Sequence, residues 1–400
     1  MSSEPPFINV RELIDKYSVE ELNQSAEEYF ARLGDWDRLL AKPFTSSNDA
    51  IHLLVQTSYL LQGLELYPGM RVIDFGAGPG WASRMLNQMG LEVISLDVSA
   101  TALKIGAHLA QRHPVFGDQP MHRFMHFDGH NIDLADGSVD RIFCLDAFHH
   151  VPNQRQVLAE MSRVLKVGGI AGFAEPGPSH SKDPSSQLEM RNFKVIENDI
   201  VLDDILKSAI QGGFTHMNVS IGSTYPLRVS LDKFACFPAE ERLATEYLQS
   251  TAHRIKNFPL FFLYKGTAPV DDSRNMEGLV ARTEAPDQIT AKAGVPISIP
   301  LRFHNTSTKR WLRSGTTPGS VNIGYFLHDL APQHKPAKGT EFRCHLSDQV
   351  VNPGESIAVD LHLDGLNAGQ YRVDVDLVSE HVRWFQANGS RISSVRLIIL

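Results

Sequence analysis

The sequence predicts an α/β domain built on a mostly parallel sheet, followed by an all-β sandwich domain. The first observation is a strand, a glycine-rich loop and a helix in direct succession over residues 71–90. The second is the alternation of short apolar runs with amphipathic segments up to residue 265, which is typical of βα units. The third is a change after residue 281 to short alternating strands separated by Gly and Pro turns, the pattern of a β-sandwich.

The helical pattern begins before the first strand and returns near the last one. Apolar periodicity predicts helices over residues 9–33, with Ser18 and Glu21 as a capping box, and over residues 50–63. A segment from Tyr225 to Asn257, with an amphipathic helix from Ala239 to Lys256, interrupts the path to the final strand. We expect the N-terminal helices either to cover a ligand pocket or only to pack on the core.

The glycine-rich loop reads D-F-G-A-G-P-G over residues 74–80. Glycine lets a ligand approach the backbone closely, because no Cβ is in the way. Gly76, Gly78 and Gly80 stand at alternate positions, whereas a dinucleotide fingerprint is G-x-G-x-x-G and its third glycine is a tryptophan here. Asp74 would repel a pyrophosphate but suits a ligand that carries an ammonium group.

Acidic residues close the next three predicted strands. Asp97 ends the second strand about 20 residues past the glycine loop, where a carboxylate can accept hydrogen bonds from a ribose diol. Asp128 ends the third strand and Asp146 ends the fourth. The carboxyl ends of parallel strands are where such sheets bind ligands.

Together these motifs resemble those of the class I methyltransferases that depend on S-adenosylmethionine (SAM). The D-x-G-x-G-x-G loop is similar to their motif I, and Phe148-His149-His150-Val151 is similar to the "hHV" signature after their fourth strand. The R-V-L-K-V-G-G run over residues 163–169 is a third family feature. The resemblance covers about residues 45–220 and implies SAM as cofactor and a Rossmann-like, mostly parallel seven-stranded sheet.

The resemblance also implies where the cofactor is held. The loop would contact the methionine part of SAM, Asp97 the ribose and Asp128 the adenine amino group. The implied cofactor-binding residues are Asp74, Gly76, Ala77, Gly78, Gly80, Trp81, Asp97, Val98, Asp128, Gly129, Asp146 and Ala147.

The catalytic prediction concerns the histidine pair after the fourth strand. SAM is already activated, so the enzyme must mainly align a nucleophile with the methyl group. A hydroxyl nucleophile calls for a base, and histidine is suited to that role near pH 7. We predict His150 as the base because it matches the more persistent histidine of the family signature, with His149, Glu175 and His180 as alternatives. One of the pair could instead cap a loop or pack on the next helix. The spacing of the possible ligands along the chain predicts no metal site. Asp146, His149, Glu175 and His180 together are only a weak candidate for one.

The length of 400 residues predicts two domains. We assign residues 1–265 to the methyltransferase-like domain, with a helical cap at 1–62, residues 266–281 to a polar linker and residues 282–400 to the β-sandwich. Phrases such as N-T-S-x-x-x-W and N-P-G-E resemble an immunoglobulin-like accessory domain of the kind that accompanies surface-polysaccharide assembly. Its aromatic residues Trp311, Trp384 and Phe385 are candidates for stacking on a sugar ring, although most such residues form a core.

The charge and the composition of the chain limit the classes of partner and the cellular location that we expect. The net charge of −8 divides into −10 for residues 1–279 and +2 for residues 280–400, and an acidic N-terminal part argues against a nucleic-acid substrate. No apolar run approaches 18 residues, which predicts no transmembrane helix. The N-terminus lacks a signal-peptide pattern and the three cysteines are scattered, so we predict a cytoplasmic protein.

Two classes of function fit these observations. The first is an O-methyltransferase acting on a sugar, a glycan or another small molecule, with N-, S- or C-methylation as alternatives. The second is a SAM-binding interaction module that has lost catalysis. The intact loop, Asp97 and the histidine pair favour the enzyme. Polysaccharide-assembly proteins are candidate partners, and the sequence predicts no oligomeric state.

Overall fold

The computed structural model describes residues 6–32, 36, 40–115, 120–222, 228–236, 241–266, 272–330 and 340–400. The chain divides into two compact units, Met1–Pro269 and Val270–Leu400. Helices and strands alternate in the first unit and strands dominate the second, as the sequence predicts.

The N-terminal unit is organised around a seven-stranded sheet. Its strands are β1 (Arg71–Phe75), β2 (Glu92–Asp97), β3 (His122–His126), β4 (Val139–Leu145), β5 (Leu165–Ala174), β6 (His216–Ser220) and β7 (Leu260–Tyr264). They lie in the order β3-β2-β1-β4-β5-β7-β6, and β7 is antiparallel to both of its neighbours while the other pairs are parallel. The carboxyl ends of β1, β2, β4 and β5 therefore meet along one edge of the sheet.

Helices accompany these strands, and the sheet separates two apolar cores. Ile73 belongs to one core and its neighbour Val72 to the other, because successive side chains of a strand point to opposite faces.

The capping box is confirmed, since Ser18 and Glu21 exchange backbone-to-side-chain hydrogen bonds of 2.8 and 3.2 Å. The described helices are α1 (Val10–Lys16), α2 (Val19–Arg32), α3 (Ser47–Gly63), α4 (Trp81–Gln88), α5 (Ala100–Arg112), α6 (Gln154–Val164), α7 (Pro184–Phe193), α8 (Leu202–Gln211), α9 (Leu231–Cys236) and α10 (Glu241–Asn257).

Some predicted boundaries differ from the structure. Within the R-V-L-K-V-G-G run, a glycine cap of the helix is what the pattern predicts, but Leu165 is already extended and pairs with Val139, so that β5 follows α6 directly. The predicted helix from Ala239 corresponds to α10, which is described from Glu241. The predicted positions Leu33, Tyr225 and Ala239 themselves lie outside the described residues.

The C-terminal unit contains two sheets that share one apolar core. One has the order β13-β10-β8, and the other has the order β12-β11-β14-β16-β9 with β15 paired to β14. Ile299 and Phe303 from the first sheet share that core with Ile323 and Val375 from the second. The immunoglobulin-like assignment stays a prediction. These strands are β8 (Ala281–Glu284), β9 (Gln288–Ala291), β10 (Ile297–Asn305), β11 (Val321–Asp329), β12 (Thr340–His345), β13 (Ser356–Leu363), β14 (Gly369–Ser379), β15 (Arg383–Trp384) and β16 (Ser393–Ile399).

Two of the three aromatic residues proposed to stack on sugar are core residues. Trp311 and Phe385 are fully buried, with ring centroids 5.4 Å apart. Only Trp384 is partly exposed, and it stacks on Phe326 at 5.5 Å. The stacking hypothesis is therefore wrong for the two buried rings.

The segment predicted as a linker is largely part of the C-terminal unit. The Ser273 hydroxyl donates to the Gly319 carbonyl at 2.6 Å, and Leu279 is fully buried in that unit's core. The polar composition of residues 266–281 suggested a linker, but several of these polar groups find partners inside the fold. The observed boundary lies between Pro269 and Val270. Within the described residues, no helix combines the length and the apolar character needed to cross a bilayer.

We expect limited proteolysis to cut the chain first between Lys265 and Asp272. The reason is that boundaries between compact units fall where few contacts cross. Mass spectrometry of the early fragments should show one product ending near the boundary and one beginning there. A first cut inside either unit, with the boundary intact, would contradict the division into separately folded units.

Candidate active site

The glycine-rich loop lies between β1 and α4 and adopts a backbone that favours glycine. Gly76, Gly78 and Gly80 have φ values of 66°, 52° and 74°. The N–H groups of Gly76 and Ala77 donate to the Leu96 carbonyl at 2.8 and 3.1 Å, which ties the loop to β2. A Cβ on Gly78 would meet only a Phe30 ring atom at 4.0 Å, so this backbone is open to a ligand.

Asp97 holds the loop from the end of β2. Its carboxylate accepts hydrogen bonds from the backbone N–H groups of Gly78 at 2.7 Å and Ser99 at 2.8 Å. The residue is 8% exposed, and burial raises the pKa of its carboxyl against the opposing effect of these two hydrogen bonds. The carboxylate fixes the loop and lies at the wall of a cavity, where its remaining lone pairs can accept from a ligand's hydroxyls.

This cavity has a volume of about 450 Å³ and lies at the carboxyl edge of the sheet. Its floor comes from the glycine-rich loop and from the ends of β2 and β4, and Asp146 and Ala147 line it after β4. Its roof comes from α2, through Leu22, Tyr29 and Phe30. The N-terminal helices therefore cover the pocket and do more than pack on the core.

At the far end of the cavity, Glu175 organises the turn that follows β4. Its carboxylate accepts from the backbone N–H groups of Ala147, Phe148 and His149 at 3.1, 2.8 and 3.2 Å. The same group is 2.7 Å from Nδ1 of His149. Glu175 is 1% exposed and does not line the cavity, so it positions His149 and does not reach an acceptor.

The pKa values of the two histidines of the pair are shifted in opposite directions. Burial alone lowers the pKa of His149, but the hydrogen bond and charge of Glu175 outweigh it and raise that pKa to about 9. Burial and the positive charge of His149 lower the pKa of His150. Nδ1 of His150 lies 2.7 Å from the Ile196 carbonyl, which can only accept, so Nδ1 carries the hydrogen and Nε2 carries the lone pair. His150 lines the cavity, and 42% of its side chain is accessible.

Glu197 joins the histidines into one cluster. Its Oε2 is 2.5 Å from Nε2 of His180 and 3.7 Å from Nε2 of His149, and its Oε1 is 3.7 Å from Nδ1 of His150. Burial raises the pKa of Glu197, but the hydrogen bond from His180 and the nearby histidine charges outweigh it and hold that pKa below its usual value. His149, His150 and Glu197 offer ligand atoms within 4.8 Å of one another, so this cluster has the donors to hold a metal ion.

Residues 73–173, which include the glycine-rich loop, Asp97 and the histidine pair, match the family model described as a methyltransferase domain. These residues form a methyltransferase domain. The seven-stranded sheet that carries it has the Rossmann-like fold of the class I, SAM-dependent enzymes, as the sequence predicts.

Known methyltransferases are similar to this domain over part of their length. The chain is 31% identical over 118 residues to a sterol 24-C-methyltransferase of Yarrowia lipolytica, a match that covers 29% of this chain and 30% of that protein. It is 32% identical over 134 residues to a demethylmenaquinone methyltransferase of Renibacterium salmoninarum, covering 33% and 53%. The matched region is thus between about a third and a half of these curated relatives. A solved geranyl diphosphate C-methyltransferase from Streptomyces coelicolor superposes with a TM-score of 0.41 at 17% identity, covering 60% of this chain and 96% of that one.

Most of the predicted cofactor residues of the methyltransferase domain come together, but two carboxylates face elsewhere. Asp74 is 3% exposed, accepts a 2.5 Å hydrogen bond from the Ser83 hydroxyl and does not line the cavity. Burial raises its pKa to about 7. Asp128 accepts from the N–H groups of His130 and Asn131, both at 2.7 Å, and caps a turn. The predicted residues that line the cavity are Gly76, Ala77, Gly78, Trp81, Asp97, Val98, Gly129, Asp146 and Ala147.

Asp146 is unusual within the methyltransferase domain because it is a non-glycine residue with a φ of 54°. Desolvation raises its pKa, but nearby positive charge, above all that of His149, outweighs that effect and holds the pKa of Asp146 below its usual value. The carboxylate is therefore ionised at neutral pH. It adds negative charge to the wall between the glycine-rich loop and the histidines.

Sequence reasoning missed Glu197, and it allowed for a helical cover over the pocket without assigning the residues of α2 that form it. Glu197 lies in the loop after α7, far in sequence from the histidines, and no spacing rule connects them. Tyr29 and Phe30 stand in a helical pattern that predicts packing without naming the partner. A carboxylate on an irregular segment, 22 residues after Glu175, carries no signal of its own.

We expect Asp97→Ala to weaken SAM binding by roughly 10- to 150-fold. Without the carboxylate, the cofactor would lose charge-assisted hydrogen bonds worth about 1.5–3 kcal/mol. The backbone N–H of Gly78 in the loop would lose its hydrogen-bond acceptor. Calorimetric titration with SAM measures the change. Asp133→Ala, which removes an exposed acid of the same unit, is the control. Unchanged affinity in a folded Asp97→Ala variant would remove this residue from the cofactor site.

Proposed function

We propose that the protein transfers the methyl group of SAM to a hydroxyl of a small molecule, with a sugar or a glycan end as the favoured acceptor class. One observation carries the proposal: a single cavity contains the loop tied to Asp97 at one end and His150 at the other. At about 450 Å³, the cavity is near the lower end of the roughly 300–1,000 Å³ range of small-molecule sites. Little volume remains beside the cofactor, so the acceptor is small or enters only with its reactive end.

The proposed chemistry follows from the tautomer of His150. Its Nδ1–H is engaged by the Ile196 carbonyl, and its Nε2 is available to take the proton of the acceptor hydroxyl. The oxygen then attacks the methyl carbon, a C–O bond forms and the S–CH₃ bond breaks. The products are a methyl ether and S-adenosylhomocysteine. His149, fixed by Glu175, supports the turn and carries positive charge beside the reacting groups.

C-methylation is the second candidate. Sterol 24-C-methyltransferase and demethylmenaquinone methyltransferase are among the similar relatives, and both names describe other acceptors than a sugar hydroxyl. A base in the place of His150 also serves that reaction, because a proton must leave the methylated carbon skeleton.

An acceptor screen with methyl-labelled SAM tests the proposal. We expect label in an ether that resists base hydrolysis. Label on carbon would favour the second candidate. Binding of SAM without transfer to any sugar, phenol or alkene acceptor would favour a non-catalytic SAM-binding module.

We infer that the C-terminal unit places the enzyme or its acceptor and does not complete the cofactor pocket. The residues that line the cavity all lie between Leu22 and Glu197, within the N-terminal unit. A chain that ends at Lys265 should therefore bind SAM with unchanged affinity. Circular dichroism should confirm that the shortened chain is folded, and lost SAM binding in a folded sample would mean that both units form the pocket.

A further inference from the structure

We propose that Lys42 and Asp146 together bind the amino-acid end of SAM, with Lys42 as the partner of its carboxylate and Asp146 as the partner of its ammonium group. Both side chains line the cavity. They come from separate parts of the chain, since Lys42 precedes α3 and Asp146 follows β4. The inference goes beyond the proposed function, because it concerns the binding of the cofactor and needs no methyl transfer.

The charge of the cavity makes the carboxylate the part of SAM that is hardest to bind. SAM carries a positive sulfonium, a positive ammonium group and one negative carboxylate. Four acidic side chains line the cavity, those of Asp97, Asp146, Glu189 and Glu197. Among the described residues, Lys42 is the only lysine or arginine that lines it. A carboxylate that leaves water needs a paired charge or hydrogen-bond donors, and this wall offers one such cation.

The backbone of the glycine-rich loop does not supply the missing donors. The N–H groups of residues 76 and 77 donate to a carbonyl of β2 at 2.8 and 3.1 Å, and the N–H of Gly78 donates to Asp97 at 2.7 Å. The N–H of Gly80 donates within the loop at 2.9 Å, and Pro79 has no N–H. Every backbone donor of residues 76–80 therefore already has an acceptor. The loop leaves the carboxylate of SAM to a side chain.

Lys42 is positioned next to this loop and is not engaged elsewhere. Its positive charge helps to hold the pKa of Asp146 low, which places the two side chains near each other. Asp146 precedes Ala147, whose Cβ is the first atom that a side chain at Gly76 would strike. In the part of the chain that the structure describes, no hydrogen bond or ion pair engages the ammonium group of Lys42. It is therefore available to a ligand at this end of the cavity.

Asp146 is suited to the ammonium group of SAM. Its carboxylate is ionised at neutral pH and reaches the cavity, whereas Asp74, which the sequence suggested for this role, is turned away to Ser83. The φ of 54° is a left-handed backbone conformation, which is uncommon for a residue other than glycine. Such strained residues cluster at ligand sites, where the surrounding structure holds them in place.

Calorimetric titration of the full chain with SAM and with decarboxylated SAM tests the role of Lys42, because the two ligands differ only in the carboxylate. We expect Lys42→Met to weaken SAM binding by roughly 10- to 150-fold, the loss of a charge-assisted contact, without weakening the binding of decarboxylated SAM. Lys42→Arg keeps the positive charge and should keep the preference for SAM. Lys207→Met removes an exposed lysine outside the cavity and is the control.

Asp146→Asn tests the other half of the pair. Asparagine also tolerates the left-handed conformation, so the backbone of the turn should be preserved. We expect the variant to weaken the binding of S-adenosylhomocysteine by roughly 10- to 150-fold without weakening that of its deaminated analogue, which keeps the carboxylate. Thermal melts show that each variant is folded.

Each outcome decides the assignment. Equal losses for both ligands of a pair would overturn it, because the side chain would then act on the cavity as a whole and not on one group of the ligand. Unchanged affinities in folded Lys42→Met and Asp146→Asn variants would overturn it as well. A wild-type chain that binds neither SAM nor S-adenosylhomocysteine would overturn the cofactor assignment and this inference with it. Because affinity is the readout, the absence of methyl transfer would count against the proposed function alone.

Discussion

Replacing His150 with alanine is expected to lower the methyl-transfer rate by about 10²–10⁴-fold while the affinity for SAM stays nearly unchanged. The ring lines the end of the cavity proposed for the acceptor, away from the glycine-rich loop that would hold SAM. Its Nε2 lone pair is the proposed proton acceptor. Single-turnover rates at saturating SAM, with calorimetric SAM affinities beside them, measure both quantities.

His149→Ala is the contrasting variant. Its buried ring is paired with Glu175, and its removal leaves that carboxylate without its partner, a loss that typically costs roughly 3–5 kcal/mol of stability. We therefore expect it to melt early with a smaller loss of rate per folded molecule. If His150→Ala behaves in that way instead, the ring is a packing residue and another group, or none, removes the proton.

The second large effect is expected from Gly78→Val, which should reduce SAM binding by at least about 100-fold, a change of roughly 2.8 kcal/mol. At a φ of 52° a β-branched residue is strained, and its side chain would enter the space that the backbone now leaves open to a ligand. Calorimetric titration with SAM gives the affinity, and a melt confirms the fold.

Gly137→Val separates the two causes. Gly137 has a φ of 60° and open space around its Cβ position, but it lies in a turn outside the cavity. We expect the same kind of backbone strain with no effect on SAM binding. Equal loss of binding in the two variants would mean that strain, and not filling of the cofactor site, explains the result.

The parts of the site that lie at the ends of strands could be predicted from the pattern of apolar residues in the sequence. Asp97 and Asp146 end strands whose carboxyl ends must share one edge of a parallel sheet, so their meeting at one cavity follows from the topology. The three glycines were informative because their positive φ values permit the tight loop. These features depend on local pattern and on strand order alone.

Other parts depend on information that a single sequence does not carry. Asp74 precedes Phe75, which lines the cavity, and the alternation of strand side chains sends Asp74 to Ser83 on the other side. His180 and Glu197 lie on irregular segments, whose course is set by packing against neighbouring elements. Spacing along the chain could not show that Glu197 lies 3.7 Å from His149, or that the His180 ring packs edge-to-face on the His149 ring.

The separate cores of the two units affect how every variant above must be measured. Each unit can lose its structure in its own cooperative transition, so a single midpoint for the whole chain is not a two-state quantity. Trp311 lies fully buried in the C-terminal core, while Trp81 lines the cofactor cavity. A fluorescence melt of a chain with both Trp311→Phe and Trp384→Phe would thus report on the unit that carries the active-site variants, and the destabilisation assigned to His149 or His150 belongs to that transition.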